Sequence, residues 1–216
     1  MNSRELNRDV AGCAASHQDL LAALDVLTDD QARQPSKLPG WSVGHVLTHL
    51  ARNADSHVRM LRGADRGEVL SQYVDGASGR NAEIEAGADR SAEALVADVR
   101  TTIYELEATW ATTSAQGWHG RGLSLMGEMP MSDLVFRRWR EVEIHRMDLA
   151  LGYGWAQWPA ELVRLDLTRM TTQWASSKPM GLSALPAEAL ALSPGHRLAW
   201  LWGRAEVSGL PPAGVS

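Results

Sequence analysis

The chain has 216 residues, 44% hydrophobic and 22% charged, a balance that belongs to globular domains and excludes disordered, collagen-like and rod-like chains. Its formal charge of −5, without a run of Lys or Arg, offers nothing to a phosphate backbone or an anionic lipid surface, so neither nucleic acid nor membrane is an expected partner. One cysteine, Cys13, excludes an internal disulfide; with no apolar signal core and no apolar run near the roughly 20 residues of a membrane span, the expected location is cytoplasmic.

Apolar residues recur at helical spacing over residues 3–27, at Leu6, Val10, Cys13, Leu20, Leu24 and Leu27, which predicts a first long helix. After the turn chemistry of Pro35, Pro39 and Gly40, Ser42 can cap a second helix running through Val43, Val46, Leu47 and Leu50 to about Leu61. It carries His45, His49 and His57. Residues 63–80, Gly-rich and charged, read as a long connection, and a third helix follows from about Ser91 through Leu95, Val99, Ile103 and Leu106 to Trp110. Residues 115–131, broken by four glycines and Pro130, read as an irregular loop or short hairpin bordering the site. Ser132 as N-cap and Asp133 in the first turn predict a fourth helix through Leu134, Trp139 and Val142 to about Leu151.

Four long amphipathic helices predict a mainly α protein, with an antiparallel four-helix bundle over residues 1–154. Beyond it one further helix, 159–176, precedes short segments at 182–185, 189–192 and 197–202, punctuated by Pro and Gly. They predict a small α/β C-terminal domain over 155–216, ending in a frayed tail at 211–216. Nine Trp against three Tyr and one Phe require indoles to fill large core sites or line a pocket.

On the fourth helix Glu141 and His145 stand four residues apart and project from one face, giving two of the three ligands of an open divalent site. A third ligand has to come from another element, and His49 on the second helix can face the bundle interior, with His45 one turn before it and His57 two turns after. The same spacing also arises by chance, where an exposed Glu–His pair contributes only about 0.2–0.5 kcal/mol to the helix. Asp148 can orient His145 or pair with an arginine. Glu143 points away and is expected in solvent, and His17, His119 and His196 are expected on the surface or in loops. Cys13 reads as a core residue.

Residues 38–55, with Pro39-Gly40-Trp41-Ser42, His45 and His49, resemble the opening motif of the mycothiol-dependent maleylpyruvate isomerase family, whose bundle is of the DinB type. Residues 79–87, residues 139–149 and the run Trp200-Leu201-Trp202-Gly203-Arg204 are similar to its later signatures, in the same order. The resemblance implies a zinc ion, or another divalent metal, on His49, Glu141 and His145, with His45 structural or supporting a ligand from behind. It implies active-site arginines at Arg204, from the C-terminal domain, and at Arg80; the plainer readings are a helix-end charge and a loop salt bridge.

The reaction so implied converts maleylpyruvate to fumarylpyruvate by thiolate addition, bond rotation and elimination, with mycothiol as thiol cofactor, as in gentisate degradation. The expected partners are then a small anionic substrate and a low-molecular-weight thiol, with the chain as monomer or homodimer. A thiol S-transferase of the same fold and a non-catalytic metal or small-molecule binding module are the competing readings.

Overall fold

The computed structural model describes residues 3–178 and 184–214, which divide into two compact units, Met1–Leu151 and Gly152–Ser216. In the first unit α1 spans Ser3–Leu24 and buries Cys13, Leu20 and Leu24 at the expected helical spacing. A short helix α2, Asp29–Arg33, occupies a stretch that the hydrophobic period leaves unassigned. It forms because Thr28 and Gln31 close a reciprocal capping box.

Ser42 starts α3, Val43–Asp65, as the sequence predicts: its hydroxyl accepts from the backbone N–H of His45, and the His45 ring accepts from the Ser42 N–H. The expected connection at 63–80 is shorter than predicted, because α3 continues to Asp65 and α4, Gly76–Gly87, begins inside it. Arg80 therefore lies on a helix and not in a loop. Ser91 caps α5, Ala92–Thr112.

Residues 115–131 form the short helix α6, Ala115–His119, and a hairpin of β1, Arg121–Ser124, with β2, Gly127–Pro130. The register pairs Ser124 with Gly127 and leaves Leu125 and Met126 as the turn. A 3-10 turn over Met131–Asp133 leads into α7, Leu134–Asp148. The cap expected of Ser132 is not made: the tighter turn moves the N-cap position to Asp133, whose side chain makes no capping bond.

Cross-helix bonds fix the directions of the bundle. His17 meets Glu107 and Arg100 meets Asp25, so α1 and α5 run antiparallel; His49 meets Glu141 while Asn53 meets Arg138, so α3 and α7 do too. The pairs Ser16 to Trp139 and Asp19 to Arg146 set α1 parallel to α7, and Arg52 to Asp98 with Arg62 to Glu105 set α3 parallel to α5. The directions are thus up, down, down, up. A helix as long as α3 needs a long return before a parallel partner can start, and residues 66–91 with α4 supply it. Leu20, Leu24, Leu47, Leu50, Leu95 and Ile103 form the centre of the core.

In the second unit α8, Ala160–Ser176, and α10, Pro194–Leu201, are joined by tryptophan contacts, and α9, Ala187–Leu190, is held by Arg197 of α10, which donates to the Ala189 and Leu190 carbonyls. The Trp158 and Trp202 rings stand 4.5 Å apart, Trp174 and Trp200 5.3 Å apart, and Trp202 Nε1 donates to the buried Asp166 carboxylate at 2.8 Å. Indoles thus do the work that phenyl rings usually do in a core.

Its described residues hold helices and no strand. Residues 187–190 and 194–201 became helices because Pro186 precedes one and Ser193 and Pro194 start the other. The 182–185 segment falls partly on residues 179–183, outside the described chain. Nor is the tail frayed through its described part: Trp200 Nε1 donates to the Pro211 carbonyl and Ala213 is buried.

Candidate metal centre

His49 on α3 and Glu141 and His145 on α7 converge inside the first unit. His49 Nε2 lies 3.2 Å from Glu141 Oε2 and 3.1 Å from His145 Nε2, and His145 Nε2 lies 3.1 Å from Glu141 Oε2. The three atoms form a nearly equilateral triangle of one carboxylate oxygen and two imidazole nitrogens. Two ligands about 2.1 Å from one zinc ion at the tetrahedral angle stand roughly 3.4 Å apart, so the donor set and its spacing fit a divalent ion. Both histidines are buried, whereas Glu141 keeps part of its carboxylate open to a cavity.

The surrounding groups orient these donors. His145 Nδ1 donates to Asp148 Oδ2 at 3.0 Å, which places the ring lone pair on Nε2, facing the triangle. Of the two roles left open for Asp148, this is one that it takes. Burial acts to lower the His145 pKa, but the hydrogen bonds to Asp148 and Glu141 outweigh it and the pKa is raised. Burial acts to raise that of Glu141, but the two histidines hold it well below the carboxylate range. His49 goes the other way: burial first, then the neighbouring His145 and Arg80, lower it to about 4 against the pull of Glu141.

Arg80 reaches from α4 to His49, its guanidinium 3.2 Å from Nδ1 and 5.6 Å from the centre of the Trp41 ring. Guanidinium has no lone pair to offer, so this contact uses the lone pair of Nδ1 and puts the His49 proton on Nε2. His45 sits apart from the triangle, held by Ser42 and by Glu85 at 3.3 Å. Arg204 follows α10 in the second unit, where it donates to the Trp202 carbonyl at 3.3 Å.

A cavity of about 310 Å³ opens beside the triad, bounded by α3, α4, α7 and the β-hairpin. Its wall carries three arginines, Arg80, Arg137 and Arg140, against one carboxylate, Glu141. Asn53, His57, Gln72, Tyr73 and Ser124 add to the polar part, and Leu125, Met126 and Met129 of the hairpin close one side. The hairpin thus borders the site, as expected of this region. Asn53, Tyr73 and Arg137 were not singled out in the sequence. The signal for two of them is there: 49, 53 and 57 on one helix and 137, 141 and 145 on the other each repeat every four residues, one face apiece.

Two expectations fail: His17 and Glu143 are fully buried, not solvated. His17 bonds Glu107 at 2.8 Å and accepts from Arg138 Nε at 3.1 Å, while Arg138, itself fully buried, also donates to the Leu50 carbonyl and to Asn53. A buried guanidinium needs acceptors around it, and this draws His17 inward from the surface expected of it. Cys13 is in the core as expected, with burial pushing its thiol pKa up.

Residues 13–150 match the family described as the mycothiol maleylpyruvate isomerase N-terminal domain. A crystal structure of the mycothiol-dependent maleylpyruvate isomerase superposes with a TM-score of 0.83 at 24% identity, covering 95% of this chain and 93% of that one. A histidine-to-alanine variant of that isomerase gives a TM-score of 0.82 at 23% identity, with the same coverage. At these identities the likeness is one of fold. Comparison with curated protein sequences gives no match.

Proposed function

The chain belongs to the mycothiol maleylpyruvate isomerase family, and on that premise we propose that it is a zinc-dependent, mycothiol-dependent isomerase converting maleylpyruvate to fumarylpyruvate. The observation that carries this reading is the triangle of His49, Glu141 and His145 opening on a cavity with three arginines. A positive wall suits an anionic substrate, and a three-ligand site leaves a position for a thiol.

Isomerising a cis double bond conjugated to a carbonyl needs a transient single bond. A thiolate adds to the alkene carbon, forming a C–S bond and moving the π electrons to the carbonyl oxygen as an enolate. Rotation about the new single bond and collapse of the enolate expel the thiolate and restore the alkene in the trans form, with no net change in protons or electrons. The nucleophile is not Cys13, which is enclosed by the core with its pKa pushed up. A divalent ion on His49, Glu141 and His145 would supply the charge that keeps an external thiol deprotonated near neutral pH.

Arg80, which contacts His49 Nδ1, would be a partner for a substrate carboxylate or the enolate oxygen: with an ion held on Nε2 the His49 ring would carry its proton on Nδ1 and would no longer accept from the guanidinium. Arg204 of the second unit is proposed as a further anion partner.

The test is zinc content of the wild type beside His49→Ala and Glu141→Ala, with maleylpyruvate turnover measured with and without mycothiol. The expected result is near one zinc per chain, lost in both variants, with turnover that requires the thiol and falls at least about 100-fold in Arg204→Ala while zinc is retained. Zinc with thiol-adduct formation but no isomerised product would assign S-transfer instead. No stoichiometric zinc under metal-replete conditions would overturn the mechanism.

A further inference from the structure

Away from the metal centre, a second groove runs between α1 and α5 and carries a carboxylate for which the isomerase reading has no use. We propose that this groove, built on Glu107, Trp110 and Trp118, binds an organic ammonium ion with a single charge and an apolar tail. The proposal is independent of what the metal centre does.

The shape follows from two helices. On α1, Leu6, Val10 and Ala14 repeat every four residues and form one apolar stripe that rises about 12 Å along the helix. The space between this stripe and the end of α5 is about 380 Å³. Leu6 and Trp118 also line an adjoining cavity of about 360 Å³ beside α6, so the groove continues past them. Because α1 and α5 run antiparallel, Glu107 stands at the Ala14 end, where it meets His17, and Trp118 stands at the Leu6 end. A charged head at Glu107 leaves the apolar length of the groove for a tail.

Glu107 sets the sign of that head. Its side chain is 26% exposed, its Oε1 accepts from His17 Nδ1 at 2.8 Å, and among the described residues no lysine or arginine forms an ion pair with it. The imidazole brings no charge of its own: Nε2 accepts from Arg138, and burial lowers the His17 pKa to about 4 against the pull of Glu107. Arg138 stays on the far side of that ring, fully buried. No Lys or Arg lines the groove, so an ammonium ion meets one anion there and no cation. A polyamine would find no partner for its further charges.

The indoles add to this, since their faces attract a cation and their bodies pack a tail. Trp110 is 5% exposed and lies parallel to His17 with ring centres 5.8 Å apart, and its Nε1 meets no hydrogen-bond partner. A buried donor left unmet in the wall of a groove points to a ligand that brings an acceptor. Trp110 follows Glu107 by three residues, a rise of about 4.5 Å, which a three-carbon spacer between an ammonium and an ether oxygen can span.

The test is titration calorimetry on the full-length protein in about 0.15 M salt, where attraction between distant exposed charges is screened. The probes are 3-phenoxypropylamine, its uncharged counterpart 3-phenoxypropanol, and spermidine. The amine is expected to bind at least about tenfold more tightly than either of the others. Glu107→Gln keeps an acceptor for His17 and removes the charge, and is expected to bring the amine to the affinity of the alcohol. Ala111→Trp, at an exposed position on the groove wall, leaves Glu107 and His17 in place and is expected to weaken the amine at least about tenfold by filling the space. Both variants are compared at wild-type helix content, read by circular dichroism. Equal affinity for amine and alcohol, spermidine as tight as the amine, or an amine affinity unmoved by either substitution would overturn the site.

Discussion

His17 shows how much one side chain's surroundings decide. In the unfolded chain it takes a proton near 6.5, but in the core burial lowers its pKa to about 4, helped by Arg138 and opposed by the hydrogen bond to Glu107. The folded state therefore binds fewer protons than the unfolded state between these values. The stability His17 contributes is complete above pH 6.5 and is lost as pH falls toward 4. The urea midpoint of the wild type is expected to fall more steeply over this window than that of His17→Gln, the two curves running parallel above pH 7. Equal slopes would mean that His17 is charged in the fold. Glu143 departs from its periodicity reading without titration: spacing along its own helix places it in solvent, and the fold buries it.

At the scale of elements, the parallel packing of α1 on α7 depends on Gly12. A Cβ there would run into the ring carbons of Trp139, whose indole is buried and tied to Ser16 by a 2.8 Å hydrogen bond, so it has nowhere to retreat. Helix propensity alone favours alanine over glycine by about 1 kcal/mol, while forcing an added methyl into a packed contact costs about 1–3 kcal/mol. Packing wins, and Gly12→Ala is expected to lower the urea-unfolding free energy by about 1 kcal/mol. An increase of similar size would show that α1 and α7 can move apart freely. Cap chemistry worked where a side chain could reach its own backbone, at Ser42 and Ser91, and failed at Ser132, where a 3-10 turn took the first residues of the helix.

At the scale of the whole molecule, the triad joins α3 to α7 across 92 residues of sequence within one compact unit. An ion bound there stabilises the folded form by mass action. At a free zinc concentration about 100 times the dissociation constant the gain is about 2.7 kcal/mol, or about 5–10 °C in the thermal midpoint of a unit of this size. A chelator is expected to lower the midpoint of the wild type by that amount and to leave His49→Ala unmoved. A wild type indifferent to chelator would mean that the triad holds no ion. Among the described residues no helix is long and apolar enough to cross a membrane.

The sequence by itself determined what is local. The four long helices, the cap at Ser42, and the placing of Glu141 and His145 on one face all follow from contacts within about four residues, which repeat along the chain and can be read from it. The resemblance of residues 38–55 and 139–149 added His49 as the partner across the bundle.

Tertiary structure decided what depends on which faces meet. It set the up, down, down, up order, the burial of Glu143, the burial of His17 beside Arg138, and the meeting of 49, 53 and 57 with 137, 141 and 145 on one cavity. These are long-range pairings, chosen by the packing of elements up to 127 residues apart, and the pattern within any one helix is compatible with several of them.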